Sequence, residues 1–111
     1  MSDDNAPILV YTTLETPGDA QQLGRALVGA GLAACVNIFP AMTAIYEWEG
    51  ALAEAQESAM LIKSRKGVQE RLLAEAKRLH PYEKPALIVL QIAGGDAEFF
   101  NWIAAQTGGD V

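Results

Sequence analysis

The sequence is poor in the residues from which small reactive sites are usually built. It has one cysteine, Cys35, and one histidine, His80, in 111 residues. A single cysteine excludes an internal disulfide and any multi-cysteine zinc cage, and makes a reducing cytoplasm the expected compartment. A single histidine excludes a His pair at metal spacing and leaves few ways to assemble a nucleophile, a base and a third orienting group. Gly-x-Ser-x-Gly, P-loop and Gly-x-Gly-x-x-Gly motifs are all absent, so no enzymatic activity and no organic cofactor are expected. No apolar run reaches the ~18 residues of a membrane helix. The opening "MSDDNAP" is too acidic and polar for a signal peptide, and no membrane partner is expected.

Basic residues are scarce too, and they are badly distributed. The net charge is −6, which argues against a nucleic-acid partner. Residues 1–62 carry one base, Arg25, against eight acids. Residues 63–84 carry seven bases, Lys63, Arg65, Lys66, Arg71, Lys77, Arg78 and Lys84, against three acids. Such a segment reads as a solvated helix face, as an anion site, or as a basic surface that meets an acidic surface of another subunit.

What is present is a hydrophobic half of the chain, enough for one domain over residues 1–111, with loose termini expected at 1–7 and 106–111. "ILVYTTL" is a β-rich run. In "ETPGDA", Thr16 suits an N-cap, Pro17 the first helical position and Asp19 the positive helix start. Ala20, Leu23, Leu27 and Ala30 then recur at helical spacing. "AACVNIF" is a second strand, stopped or bent at Pro40. Alternation from Met42 to Trp48 followed by Glu49-Gly50 predicts a long hairpin. Val68, Leu72, Ala76 and Leu79 form a helical stripe that ends at His80, since the residue before Pro81 is pushed out of the α region. "PALIVLQI" reads as a strand. Asp96 caps a last helix with Phe99 and Trp102 in the core.

The order is βαββαβ plus a C-terminal helix. It predicts an α+β fold: a ferredoxin-like antiparallel sheet with helices on one face. The hairpin carries Ile45, Tyr46 and Trp48 near its tip. Large apolar groups on a ribbon that is marginal alone need a covering surface, and a partner subunit is the favoured one.

The chemistry-bearing candidates are few. Cys35 is a packed small side chain or a soft thiolate ligand for copper or zinc. His80 serves as a helix C-terminal residue or as an imidazole ligand. Its partners would be Cys35, a carboxylate, Glu57 or Glu83, or a neighbouring subunit. Lys63, Tyr82 and Lys84 are the alternative: a pocket for a small anion.

"AACVNIFPAMTAIYEWEG", Glu57, "LIKS", "HPYEKP" and "FFNWI", in this order and spacing, resemble the CutA family, the divalent-cation tolerance proteins. The resemblance runs from about Ile8 to Ile103. It implies a ferredoxin-like subunit in a homotrimer similar in architecture to the PII signalling proteins, with hairpins wrapped around neighbouring subunits. It further implies a role in tolerance of copper and other divalent metals. Two positions depart from the family's copper pattern. Thr12 stands where that pattern has cysteine, and Leu79 stands where it has a second histidine. The reading is a cytoplasmic trimer that binds a divalent metal, copper first, at His80, Cys35, Glu57 and Glu83. Ile45, Tyr46 and Trp48 are assigned to the trimer interface. A PII-like sensor of small anions and a purely structural trimeric scaffold are the alternatives.

Overall fold

The computed structural model describes residues 3–109. Its strands are β1 (Pro7–Leu14), β2 (Cys35–Trp48), β3 (Ala51–Arg65) and β4 (Ile88–Gln91), and its helices are α1 (Pro17–Gly29), α2 (Gln69–Leu79) and α3 (Ala97–Gln106). The four strands form one antiparallel sheet in the order β2-β3-β1-β4. Val10 is opposite both Ile62 and Val89, and Ile62 is opposite Val36. The expected α+β, ferredoxin-like architecture is therefore present, with helices between strands that are not adjacent in the sheet.

One face of the sheet holds the core. Ile8, Val10 and Leu14 of β1 and Met60 and Ile62 of β3 pack against Leu23 and Leu27 of α1 and Leu72 and Ala76 of α2. In β1 every second residue is buried, the period-two pattern of a strand with one face on a core. The local signals act as read. The Thr16 hydroxyl accepts from the Asp19 N–H, Pro17 opens α1, and the Asp96 carboxylate accepts from the Phe99 N–H.

The other face carries α3. Lys63 stands 5.3 Å over the ring of Phe99, and Lys63 alternates along β3 with the core residue Ile62. This corrects the placement of Phe99 and Trp102 in the core. They stack with ring centroids 5.7 Å apart, yet Trp102 is 42% exposed, and Ile103 and Ala104 are the buried residues of α3.

Two further expectations shift. Leu79, the last residue of α2, is exposed, whereas Ala76 in the same turn is fully buried. The fourth strand begins at Ile88, not at Pro85. Arg65 is buried and donates to the Thr107 carbonyl through Nε (3.2 Å) and Nη2 (3.0 Å), and to the Asp4 carbonyl through Nη1 (3.3 Å). Residues 1–2 and 110–111 lie outside the described residues.

β2 and β3 are 14 and 15 residues long, much longer than β1 and β4. Beyond the Met42–Glu57 pair they have no neighbouring strand on either side among the described residues. Pro40 lies in an irregularity between Phe39 and Met42, where Ala41 takes φ of 59°. The extra residues bend the ribbon away from the sheet.

Candidate functional site

The segment from His80 to Leu87 crosses the C-terminal end of β1. Pro81 forces His80 into an extended conformation, with φ −70° and ψ 134°, and this ends α2. The His80 side chain therefore leaves the helix and turns onto β1. Nε2 lies 3.1 Å from the Thr12 hydroxyl and 3.0 Å from the Thr13 carbonyl. Nδ1 accepts from the Tyr82 N–H at 3.1 Å. An acceptor at Nδ1 assigns the proton of the neutral ring to Nε2, which donates to β1. Burial disfavours the imidazolium and holds His80 below its ordinary pKa, although the Thr13 carbonyl opposes this.

Tyr82 continues the chain of contacts. Its ring lies 4.9 Å from the His80 ring at 52°, and its hydroxyl donates to Glu57 Oε1 at 2.8 Å. Burial pushes the phenol pKa well above its usual range, and the adjacent Glu57 carboxylate adds to the rise. Glu57 faces Met42 in the β2–β3 register. The Tyr11 hydroxyl reaches the Met42 sulfur at 3.7 Å.

Tyr82 and the hairpin enclose a cleft of about 870 Å³. Glu15, Glu57, Glu83 and Lys84 line it, with the rings of Tyr46, Trp48 and Tyr82 and the small Ala55. The structure therefore brings Glu57, Glu83, Tyr82 and Lys84 together with two of the hairpin residues. His80 lies behind Tyr82, 7% exposed.

Cys35 and Lys63 are elsewhere. They face each other across β2 and β3, and Lys63 in turn faces Leu9. Leu9 is three residues from Thr12, ~10 Å along the strand, and Cys35 is two strand spacings further across the sheet. Cys35 and His80 are thus not co-ligands within one chain, and the anion pocket expected from Lys63, Tyr82 and Lys84 is not assembled. Thr13 and Glu15 line the cleft without any sequence signal that would have marked them.

The donors of one chain do not make a complete metal site. Both nitrogens of His80 are already hydrogen-bonded. Among the described residues no group of three or more His, Cys, Asp and Glu could hold a metal ion. The carboxylates of the cleft share its walls but not a common centre.

The fold and the cleft define a class: a ferredoxin-like α+β domain with a projecting, partly apolar hairpin. The chain belongs to the CutA1 divalent ion tolerance protein family, whose model matches residues 8–106. The divalent-cation tolerance protein CutA of Pectobacterium atrosepticum is 39% identical over 99 residues, 89% of this chain and 90% of that protein. The solved Thermus thermophilus divalent cation tolerance protein superposes with a TM-score of 0.86 at 38% identity, covering 92% of this chain and 99% of its own. A structure described as the periplasmic divalent cation tolerance protein CutA of Archaeoglobus fulgidus gives a TM-score of 0.86 at 33% identity, covering 91% and 98%.

Proposed function

We propose that this chain acts in tolerance of divalent cations by binding the cation, without catalysis, as a homotrimer in the cytoplasm. Copper is the proposed ion. At a given set of nitrogen and oxygen donors Cu(II) binds more tightly than the other first-row divalent ions, so carboxylates alone do not argue against it. The observation that carries the reading is the placing of Glu57 and Glu83 on the walls of one hairpin cleft in a chain from this family. Two carboxylates are an incomplete site, and a neighbouring copy supplies the remaining donors. Ile45, Tyr46 and Trp48, exposed on the two faces of the hairpin, are the anchors proposed for that neighbour. His80 fixes Tyr82 and, through it, Glu57, so it positions the site and does not ligate. The free thiol of Cys35 suits a reducing compartment, although the Archaeoglobus relative is named as periplasmic.

Calorimetric titration with Cu(II) tests this. The Glu57→Gln, Glu83→Gln double variant should bind at least ~10-fold more weakly than the unaltered protein, the effect expected when charged donors leave a coordination set. Equal affinity in the two removes the cleft as the cation site.

A further inference from the structure

Arg65 ends β3, and its guanidinium sits between two segments that are far apart in sequence, Asp3–Ala6 and Thr107–Gly109. Nε and Nη2 donate to the Thr107 carbonyl and Nη1 donates to the Asp4 carbonyl. Arg65 and Thr107 are both buried. Thr107 is the C-cap of α3, and its carbonyl is fixed from its own side. The Thr107 hydroxyl donates to the Ile103 carbonyl at 2.8 Å, and the Thr107 and Gly109 N–H groups donate to the Ala104 carbonyl at 3.2 and 2.7 Å. On the other side the Lys66 N–H donates to the Ala6 carbonyl at 2.8 Å, and the Ala6 N–H donates to the Asp3 carbonyl at 3.0 Å. Two glycines let these parts close on one another. A Cβ at Gly67 would fall on Arg65 Nη1 and lie 3.0 Å from the Asp4 carbonyl oxygen. A Cβ at Gly109 would lie 2.6 Å from Asn5 Oδ1 and 3.1 Å from Arg65 Cδ. The two segments therefore touch each other as well as the guanidinium.

We propose that Arg65 is a latch that makes Asp3–Ala6 and Thr107–Gly109 one opening unit, so that the end of α3 and the segment before β1 are released together. The reason is the cost of a half-open state. If either segment lifts alone, donors of a guanidinium still enclosed by the other lose their acceptor. A hydrogen bond to a charged group is worth roughly 10- to 100-fold in an equilibrium. Release of one segment therefore carries the other with it, as in the cooperative local openings of native proteins. The latch lies eight residues from Glu57, ~26 Å along β3, and is independent of the cation reading.

Amide hydrogen exchange of the full chain, followed residue by residue by NMR, tests it. The reporters are the amides of residues 6 and 66 on one side and of 107 and 109 on the other, because they make the bonds just described. Gly109→Ala presses a methyl group against Asn5. It should speed exchange on both sides by about the same factor, roughly 10-fold. The amide of Val10, in the middle of the sheet, should keep its rate. Arg65→Gln should itself speed exchange on both sides, and Gly109→Ala added to it should act on 107 and 109 alone. Arg65→Lys keeps the charge but loses the fork, and should behave as Arg65→Gln does. A rise at 107 and 109 in Gly109→Ala with 6 and 66 unchanged overturns the proposal. So does an equal rise at Val10, which is global unfolding. Coupling that survives in Arg65→Gln removes Arg65 as the latch. Should the Arg65 variants fail to fold, the spread of exchange in Gly109→Ala decides alone.

Discussion

His80 shows how one residue carries both structure and a pH signature. Its neutral ring accepts at Nδ1 from the Tyr82 N–H and donates at Nε2 towards β1. Protonation would put a second donor against the Tyr82 N–H, and burial already lowers the pKa from its ordinary 6.5. The folded pKa lies below the unfolded one. The stability it contributes is therefore present above pH 6.5 and is lost as pH falls through the folded pKa. Thermal unfolding should show a midpoint that declines as the solution is acidified below that value, and the decline should be shallower in His80→Gln. At neutral pH that variant should lose about 1–3 kcal/mol, the cost of leaving buried partners unpaired. A midpoint with the same acid slope in both proteins would remove His80 as the titrating group. The helix end at Pro81 was legible in the sequence because it is a local steric effect. The contacts with Thr12 and Thr13 were not, since they join residues 68 and 67 positions apart.

The hairpin argues at the scale of an element. Trp48 and Ala51 are paired, so Glu49 and Gly50 form a two-residue loop, with φ of 49° and 80°. Positive φ at both positions is the primed turn that matches strand twist. Gly50→Ala should therefore destabilise by about 0.5–1 kcal/mol, the left-handed penalty less the unfolded-chain entropy that glycine carries. Ala41, at φ 59° in the bulge, is the mirror experiment. Ala41→Gly should raise stability by a similar amount, and denaturant unfolding with an unchanged m-value would check both. Alternating apolar residues and Glu-Gly made the hairpin legible, and Pro40 marked its bend. The short β4 and the exposed Phe99 and Trp102 were not legible. Apolar composition says that a residue will be covered, but not whether its own chain or another covers it. Nor could spacing along the chain show that Glu83 and Lys84 would line one cleft with Trp48, because that placement needs both the bend of the ribbon and the turn at His80.

The whole molecule is extended for its length, 49 Å by 26 Å by 21 Å, with a radius of gyration of 14.9 Å where a compact chain of this size has about 13 Å. The excess is the ribbon. Trp48 is 65% and Leu52 78% exposed, and Ile45, Phe39, Ile88 and Leu90 are exposed as well. Trp48 and Leu52 point to opposite faces of the hairpin, since Leu52 is opposite Glu47 and not Trp48. A ribbon that is apolar on both faces needs cover on both sides. One further copy packed against one face would leave the other wet, whereas a closed ring of copies covers both. The homotrimer reading then makes a quantitative statement. Sedimentation equilibrium at micromolar concentration should give three times the 11.9 kDa of one chain. Ile45→Asp, which places a charge on one face of the ribbon, should yield a monomer or a mass that depends on concentration. Its unfolding temperature should fall on dilution, as mass action requires when association stabilises the fold. A monomer in the unaltered protein would leave both faces of the hairpin exposed to water and would remove the second copy from which the cation site takes its remaining donors.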